Sequence, residues 1–278
     1  STLLASSAAS DVYKRQCVTI NGIDYKLAEN DGKNNLHSGP DVYQKRMWRV
    51  VENGDDHVTF LLHSPDGDQG YPGALDMKVT YTLDEENGLT IHYEAVPDQD
   101  TVINMTNHSY FNLNGHKSGS VLHHRMQLLS DAFTPADAQS IPTGEVCSVD
   151  GTPMDFRSTK ELGAEIDAAY EPLILGNGYD HNWVLKNEGR FDKVAEVTGD
   201  ESGIVMEVWT DRPGVQVYTA NFLENEAGRN GAVYQKRDAV CLETQNYPDA
   251  VHQKNFPEAI CKKGETYDTK TAYRFHIE

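Results

Sequence analysis

Along most of this chain apolar and polar residues alternate with a period of two, the pattern of strands that bury one face. Residues 17–20 and 23–27 alternate on either side of Asn21-Gly22, a dipeptide that closes two-residue turns, so a first hairpin is expected there. Residues 47–51 and 57–62 flank a polar turn at 53–56, and residues 77–83 and 89–96 flank another at 84–88, predicting two more hairpins. Further strands are expected at 126–129, 182–185, 193–198, 204–210, 215–220, 239–244 and 267–277. Residues 101–115 read as a strand of mixed faces that ends in an Asn/Gly turn. Spacing becomes helical in one place only. Ser158-Thr-Lys-Glu161 has the form of a capping box, and Leu162, Ile166 and Ala169 follow at helical intervals.

Many short strands with almost no helix between them predict an all-β fold, a large antiparallel β-sandwich or barrel. No repeat and no break in composition divides residues 17–278, which read as one domain. Residues 1–16 differ. They are small and weakly apolar, then aperiodic, and Lys14 and Arg15 follow the apolar part, the reverse of a secretory signal. This segment reads as a non-native or disordered tail.

Composition narrows the function. With 278 residues, 38% of them hydrophobic, the chain can build a sizeable core. Its 24 basic and 43 acidic residues leave a formal charge of −19, which repels nucleic acid and anionic membranes and favours a neutral ligand. Cys17, Cys147, Cys241 and Cys261 show no C-x-x-C spacing and read as reduced residues of a cytoplasmic protein. No apolar run approaches the length of a membrane span.

Five stretches carry candidate chemistry. Asn104, Thr106, Asn107, Ser109 and Asn112 surround His108 and Tyr110 with more hydrogen-bonding groups than a core strand satisfies. Polar groups at that density face a polyhydroxylated ligand or one another, and His108 is then either a site residue or a satisfied structural one. Asp180 lies where a glycine loop enters an apolar strand, a position suited to a site at a sheet's rim or to capping a turn. Gln216 shares a face with Gly214 and Tyr218, facing either hydroxyls or solvent. Glu243 sits among Val240, Cys241 and Leu242, where burial raises a carboxyl pKa toward the range a general base needs; the alternative is an edge strand in water. His37 stands in a Gly/Asn-rich loop. The histidines form no H-E-x-x-H or H-x-H pair, so a metal site has little support. Nucleotide-binding and G-x-S-x-G signatures are lacking too.

Taken together, the segments around Asn34–Gly39, Thr106–Gly115, Tyr179–Asn182, Pro213–Tyr218, Leu242–Asp249 and Lys263–Glu265 resemble the aldose 1-epimerase (galactose mutarotase) family. The resemblance implies a galactose mutarotase-like supersandwich that interconverts the α and β anomers of free aldohexoses. By position, Glu243 corresponds to the general base and His108 to the general acid. His37, Tyr110, Asp180 and Gln216 correspond to sugar-binding residues; Tyr110 or Trp183 offers a ring to a sugar C–H face, though core packing explains Trp183 equally well. No cofactor or metal is implied. The expected partner is a small-molecule sugar, with no nucleic acid or membrane, and the chain is expected to be a monomer or weak homodimer. Two features depart from the family pattern. The family's N-terminal strands, ending in Gly-Arg…Asn-Arg-Ile with a sugar-gripping arginine, have no counterpart before Cys17, and Arg15 lacks the flanking pattern. His37-Ser38-Gly39 replaces the usual His-Gly-Gly. The alternatives are a non-catalytic carbohydrate-binding sandwich and an epimerase of hexose 6-phosphates, the latter opposed by the lack of an arginine cluster.

Overall fold

The computed structural model describes residues 12–13 and 17–278. The expected tail therefore lies mostly outside the described residues; within it, the backbone of Val12–Tyr13 pairs antiparallel with Asn35–Leu36. Among the described residues two large antiparallel sheets dominate. The larger has nine strands in the spatial order Lys160–Glu161, Arg125–Leu128, Asp192–Thr198, Ile204–Thr210, Tyr267–Ile277, Gly88–Pro97, Leu75–Leu83, His57–Ser64 and Arg49–Asn53. The smaller runs Cys147–Ser148, Ala132–Thr134, Asp180–Val184, Gly214–Tyr218 and Cys241–Gln245. All three expected hairpins form, and each expected later strand is present to within about two or three residues at its ends.

Period-two patterning explains which faces meet. In Leu75–Leu83, Met77 and Val79 are buried while Asp76 and Lys78 are exposed; in Gly88–Pro97, Ile91, Tyr93 and Ala95 are buried. These side chains join Phe133, Trp183, Val215, Val217 and Leu242 of the smaller sheet in one core cluster. Each large apolar side chain buried there contributes about 1.5–3 kcal/mol. Polar contacts fix the stacking. Tyr273 donates its hydroxyl to the Leu242 carbonyl at 3.0 Å, and the hydroxyls of Thr244 and Thr271 bond to each other. The β-sandwich expected from the sequence is thus the observed fold.

Two local expectations fail. Residues 158–169 are not helical. Lys160–Glu161 instead pairs with the strand Arg125–Leu128, and the N–H groups of Leu162 and Gly163 donate to the carbonyls of His124 and Leu122 at 2.9 and 2.7 Å. Leu162 and Ile166 are buried as their apolarity demands, but the backbone bonds that a helix would use are committed to neighbouring chain. The short helix lies just beyond, at Glu171–Leu175, where Pro172 occupies the first turn. Residues 101–115 are likewise strand only at Thr101–Val102, which pairs with Ile260–Cys261. No helix among the described residues is long and apolar enough to cross a membrane.

Candidate active site

Glu243 is the middle residue of Cys241–Gln245, the edge strand of the smaller sheet, and is 1% exposed. Leu242 and Thr244 face the larger sheet, so the pleat turns Cys241, Glu243 and Gln245 to the opposite face. Strand register then sets Glu243's neighbours. Gln216 pairs with Glu243, and Asn182 with Gln216; one row away, Tyr218 pairs with Cys241, and Asp180 with Tyr218. The Gln216 amide donates through Nε2 to Asp180 Oδ1 at 2.7 Å. Its own buried Oε1, an acceptor, meets no donor among the described residues.

A second segment arches over this floor. At one foot Asn104 exchanges two hydrogen bonds with Asn246: its Nδ2 donates to the Asn246 carbonyl at 3.2 Å, and the Asn246 N–H returns to Oδ1 at 2.9 Å. At the other, Phe111 and Val240 exchange backbone bonds of 2.9 and 3.0 Å. The feet thus bracket Glu243 on one strand and His108 on the other. Nε2 of His108 accordingly lies 3.5 Å from Glu243 Oε1. Asn112 donates to the carbonyls of Gly119 and Asp238. The amide-rich stretch therefore spends Asn104 and Asn112 on backbone, and of its polar residues it presents His108 and Tyr110 to the cleft.

The cleft has a volume of about 890 Å³, and His37, His108, Tyr110, Asp180, Gln216 and Glu243 all line it. Tyr110 stacks on His108 with ring centroids 5.0 Å apart, while His37 and Tyr218 approach His108 edge-on at 5.8 and 5.9 Å. Lys33, Gln139, Tyr218 and Phe222 line it too and were not singled out from the sequence. Tyr218 carried a signal, because it shares the Gln216 face; the others lie in loops whose placement no local pattern specifies. Trp183 is elsewhere. It points from the opposite face of its strand into the core, 1% exposed, with its indole N–H donated to the Met154 carbonyl at 3.0 Å. It cannot pack on a ligand in the cleft.

Gly214 lies where the packing leaves no room for a side chain. A Cβ there would lie 2.3 Å from Asn182 Oδ1 and 2.9 Å from the Tyr247 ring. Gly214→Ala is expected to cost about 1–3 kcal/mol of stability, as overpacking does, read from the urea unfolding midpoint.

Burial governs the electrostatics. It pushes the Glu243 carboxyl well above its ordinary value, and the nearby Asp180 charge adds to the effect. Desolvation lowers His108 and takes His37 down to about 4, His108 contributing to the latter. Asp180 rises to about 6 by burial, opposed by the Gln216 hydrogen bond. Both members of the His108–Glu243 pair are thereby biased toward their uncharged forms. His108, Cys241 and Glu243 also place three metal-capable donor atoms within 4.8 Å of one another. Burial, with Glu243 and Asp180 nearby, holds the Cys241 thiol well above its ordinary value.

Fold and cleft together define a β-sandwich protein with a polar, concave site organised around a histidine–carboxylate pair. A sequence model of the family described as aldose 1-epimerase matches residues 13–274. Galactose mutarotase from Bos taurus is 45% identical over 262 residues, covering 93% of this chain and 74% of that protein. Aldose 1-epimerase from Escherichia coli (strain K12) is 37% identical over 263 residues, covering 94% and 75%. Among solved structures, the GalM/aldose epimerase homologue from C. elegans superposes with a TM-score of 0.88 at 28% identity, covering 97% of this chain and 81% of that one. The chain belongs to the aldose 1-epimerase family, isomerases that interconvert the anomers of aldoses.

Proposed function

We propose that this chain interconverts the α and β anomers of free aldohexoses such as glucose and galactose, with Glu243 as general base and His108 as general acid. The reading rests above all on the 3.5 Å approach of His108 to Glu243 on the floor of a cleft lined with hydroxyl-binding groups. Ring opening transfers the proton of the anomeric hydroxyl to Glu243, forms the C1=O1 bond and breaks C1–O5, while O5 takes a proton from His108. The open aldehyde turns about C1–C2, and closure on its other face returns both protons. No electron changes hands. Opening converts an imidazolium–carboxylate pair into imidazole and carboxylic acid, the two forms that burial favours. The pair holds one transferable proton in either state, so its titration belongs to the two residues jointly.

His37, Asp180 and Gln216 hold ring hydroxyls, Gln216 Oε1 accepting one, and Tyr110 lies against the apolar sugar face. All four cysteines are free, which together with the charge of −19 supports a reducing, cytoplasmic setting and a neutral ligand. Polarimetry on freshly dissolved α-D-glucose is the direct test. Optical rotation should relax faster than in buffer, in proportion to protein concentration; a rate equal to the buffer blank would overturn the proposal.

A further inference from the structure

Arg237 is a cation buried behind the cleft. It is 7% exposed, and the carboxylate it approaches, on exposed Asp167, lies 3.9 Å away. Its donors go to neutral groups instead. Nη1 donates to Thr219 Oγ1 at 2.8 Å and to Asn221 Oδ1 at 2.5 Å, and Nη2 to the Asn177 carbonyl at 2.7 Å. Asn221 in turn donates through Nδ2 to the carbonyls of Gly176 and Tyr179 at 2.8 and 2.9 Å. The Thr219 hydroxyl and N–H both donate to the Tyr179 carbonyl at 3.1 Å.

These contacts close one end of the ladder between Asp180–Val184 and Gly214–Tyr218, beside the Asp180–Tyr218 pair. Asn177, Gly178, Ala220 and Arg237 all adopt left-handed backbone there, with φ of 53°, 128°, 50° and 72°. Such conformations persist in non-glycine residues only when their surroundings hold them. Gly178 is glycine for a second reason. A Cβ on it would lie 2.0 Å from Arg237 Nη1. Burying a guanidinium without a close carboxylate is costly, so its hydrogen-bonding geometry is what the site gains from it.

We propose that Arg237 is a positioning residue for sugar binding: it fixes the ladder end that aims Asp180 and Gln216 into the cleft while leaving Glu243 and His108 untouched. This rests on the assignment of Asp180 and Gln216 as sugar ligands. Arg237→Ala should raise KM for α-D-glucose about tenfold with kcat changed less than roughly twofold, since it disturbs ground-state and transition-state binding alike. A purely structural role would do the reverse, lowering the active fraction and hence apparent kcat at constant KM. Added guanidinium ion should lower the KM of Arg237→Ala toward the wild-type value and leave wild-type KM unchanged. Arg237→Lys, which keeps the charge but not the planar fork, and Gly178→Ala, which displaces the guanidinium, should also raise KM and carry the test if Arg237→Ala fails to fold. An active wild type with unchanged KM in the folded variants overturns the positioning role alone. An inactive wild type overturns the epimerase reading and this inference with it.

Discussion

Glu243→Gln should lower kcat for aldose anomerisation roughly 10²–10⁴-fold, the contribution of one positioned proton carrier, and yet raise the unfolding temperature. Both effects have one cause. The carboxyl is 1% exposed in the middle of a strand, so its charged form is poorly solvated and its pKa stands well above the ordinary value of 4.5. A carboxyl whose pKa is higher folded than unfolded binds its proton more tightly in the native state. Native stability is therefore undiminished below the unfolded value and falls as pH rises from there toward the folded one. Glutamine keeps the shape and has no charge to desolvate, so its stability advantage should widen as pH rises above the ordinary carboxyl value. Wild-type kcat/KM should follow a bell, its acid limb marking uptake of a second proton by the His108–Glu243 pair and its alkaline limb loss of the last. Thermal melts and polarimetry on the same preparation decide the matter. Wild-type activity in the glutamine variant removes Glu243 from the chemistry, and a fall in both activity and melting temperature assigns the rate loss to misfolding.

How much of this was legible in the chain depended on whether a residue's neighbours were local. Strands such as Ile204–Thr210 and Tyr267–Ile277 were readable to the residue, because alternation records which face is buried. Glu243 and Gln216 stood out as polar side chains inside apolar strands, and pleat and register then placed them side by side. The helix expected at 158–169 failed because its capping and spacing signals are local, while the bonds at Leu162 and Gly163 go to residues some 40 positions earlier. Asn104 and Asn112 bond to backbone, rather than to a ligand or one another, for a related reason. An amide suits a backbone group as well as a sugar hydroxyl, and only the fold reveals that Asn104 serves as the foot of an arch. Lys33 and Gln139 reach the cleft on loops, and the Asn34–Gln139 contact of 3.3 Å that brings those loops together spans 105 residues. No sequence pattern encodes such a meeting.

Asp180→Asn should separate binding from catalysis by a different route. Burial lifts the Asp180 carboxyl from 3.8 to about 6, against the opposing hydrogen bond from Gln216. A shift of about two units corresponds to roughly 3 kcal/mol of destabilisation once the group ionises. Asp180 itself is only partly buried, so a cost of about 1–3 kcal/mol is expected. Asparagine removes that cost and can still accept from Gln216, so the variant should melt higher. Its advantage should be fully present above about pH 6 and should vanish as the pH falls toward about 4, where the wild-type carboxyl is neutral in both folded and unfolded chains. Sugar binding should move the other way. A carbonyl accepts hydroxyl protons less strongly than a carboxylate, and the loss of about 1–1.5 kcal/mol raises KM about tenfold. The Asp180 charge also helps to raise the Glu243 pKa, so its removal should shift the alkaline limb of the kcat/KM profile to lower pH. Unchanged KM would exclude Asp180 from sugar binding. An unmoved alkaline limb would show that the two carboxyls, one row and two strands apart on the same sheet face, titrate independently.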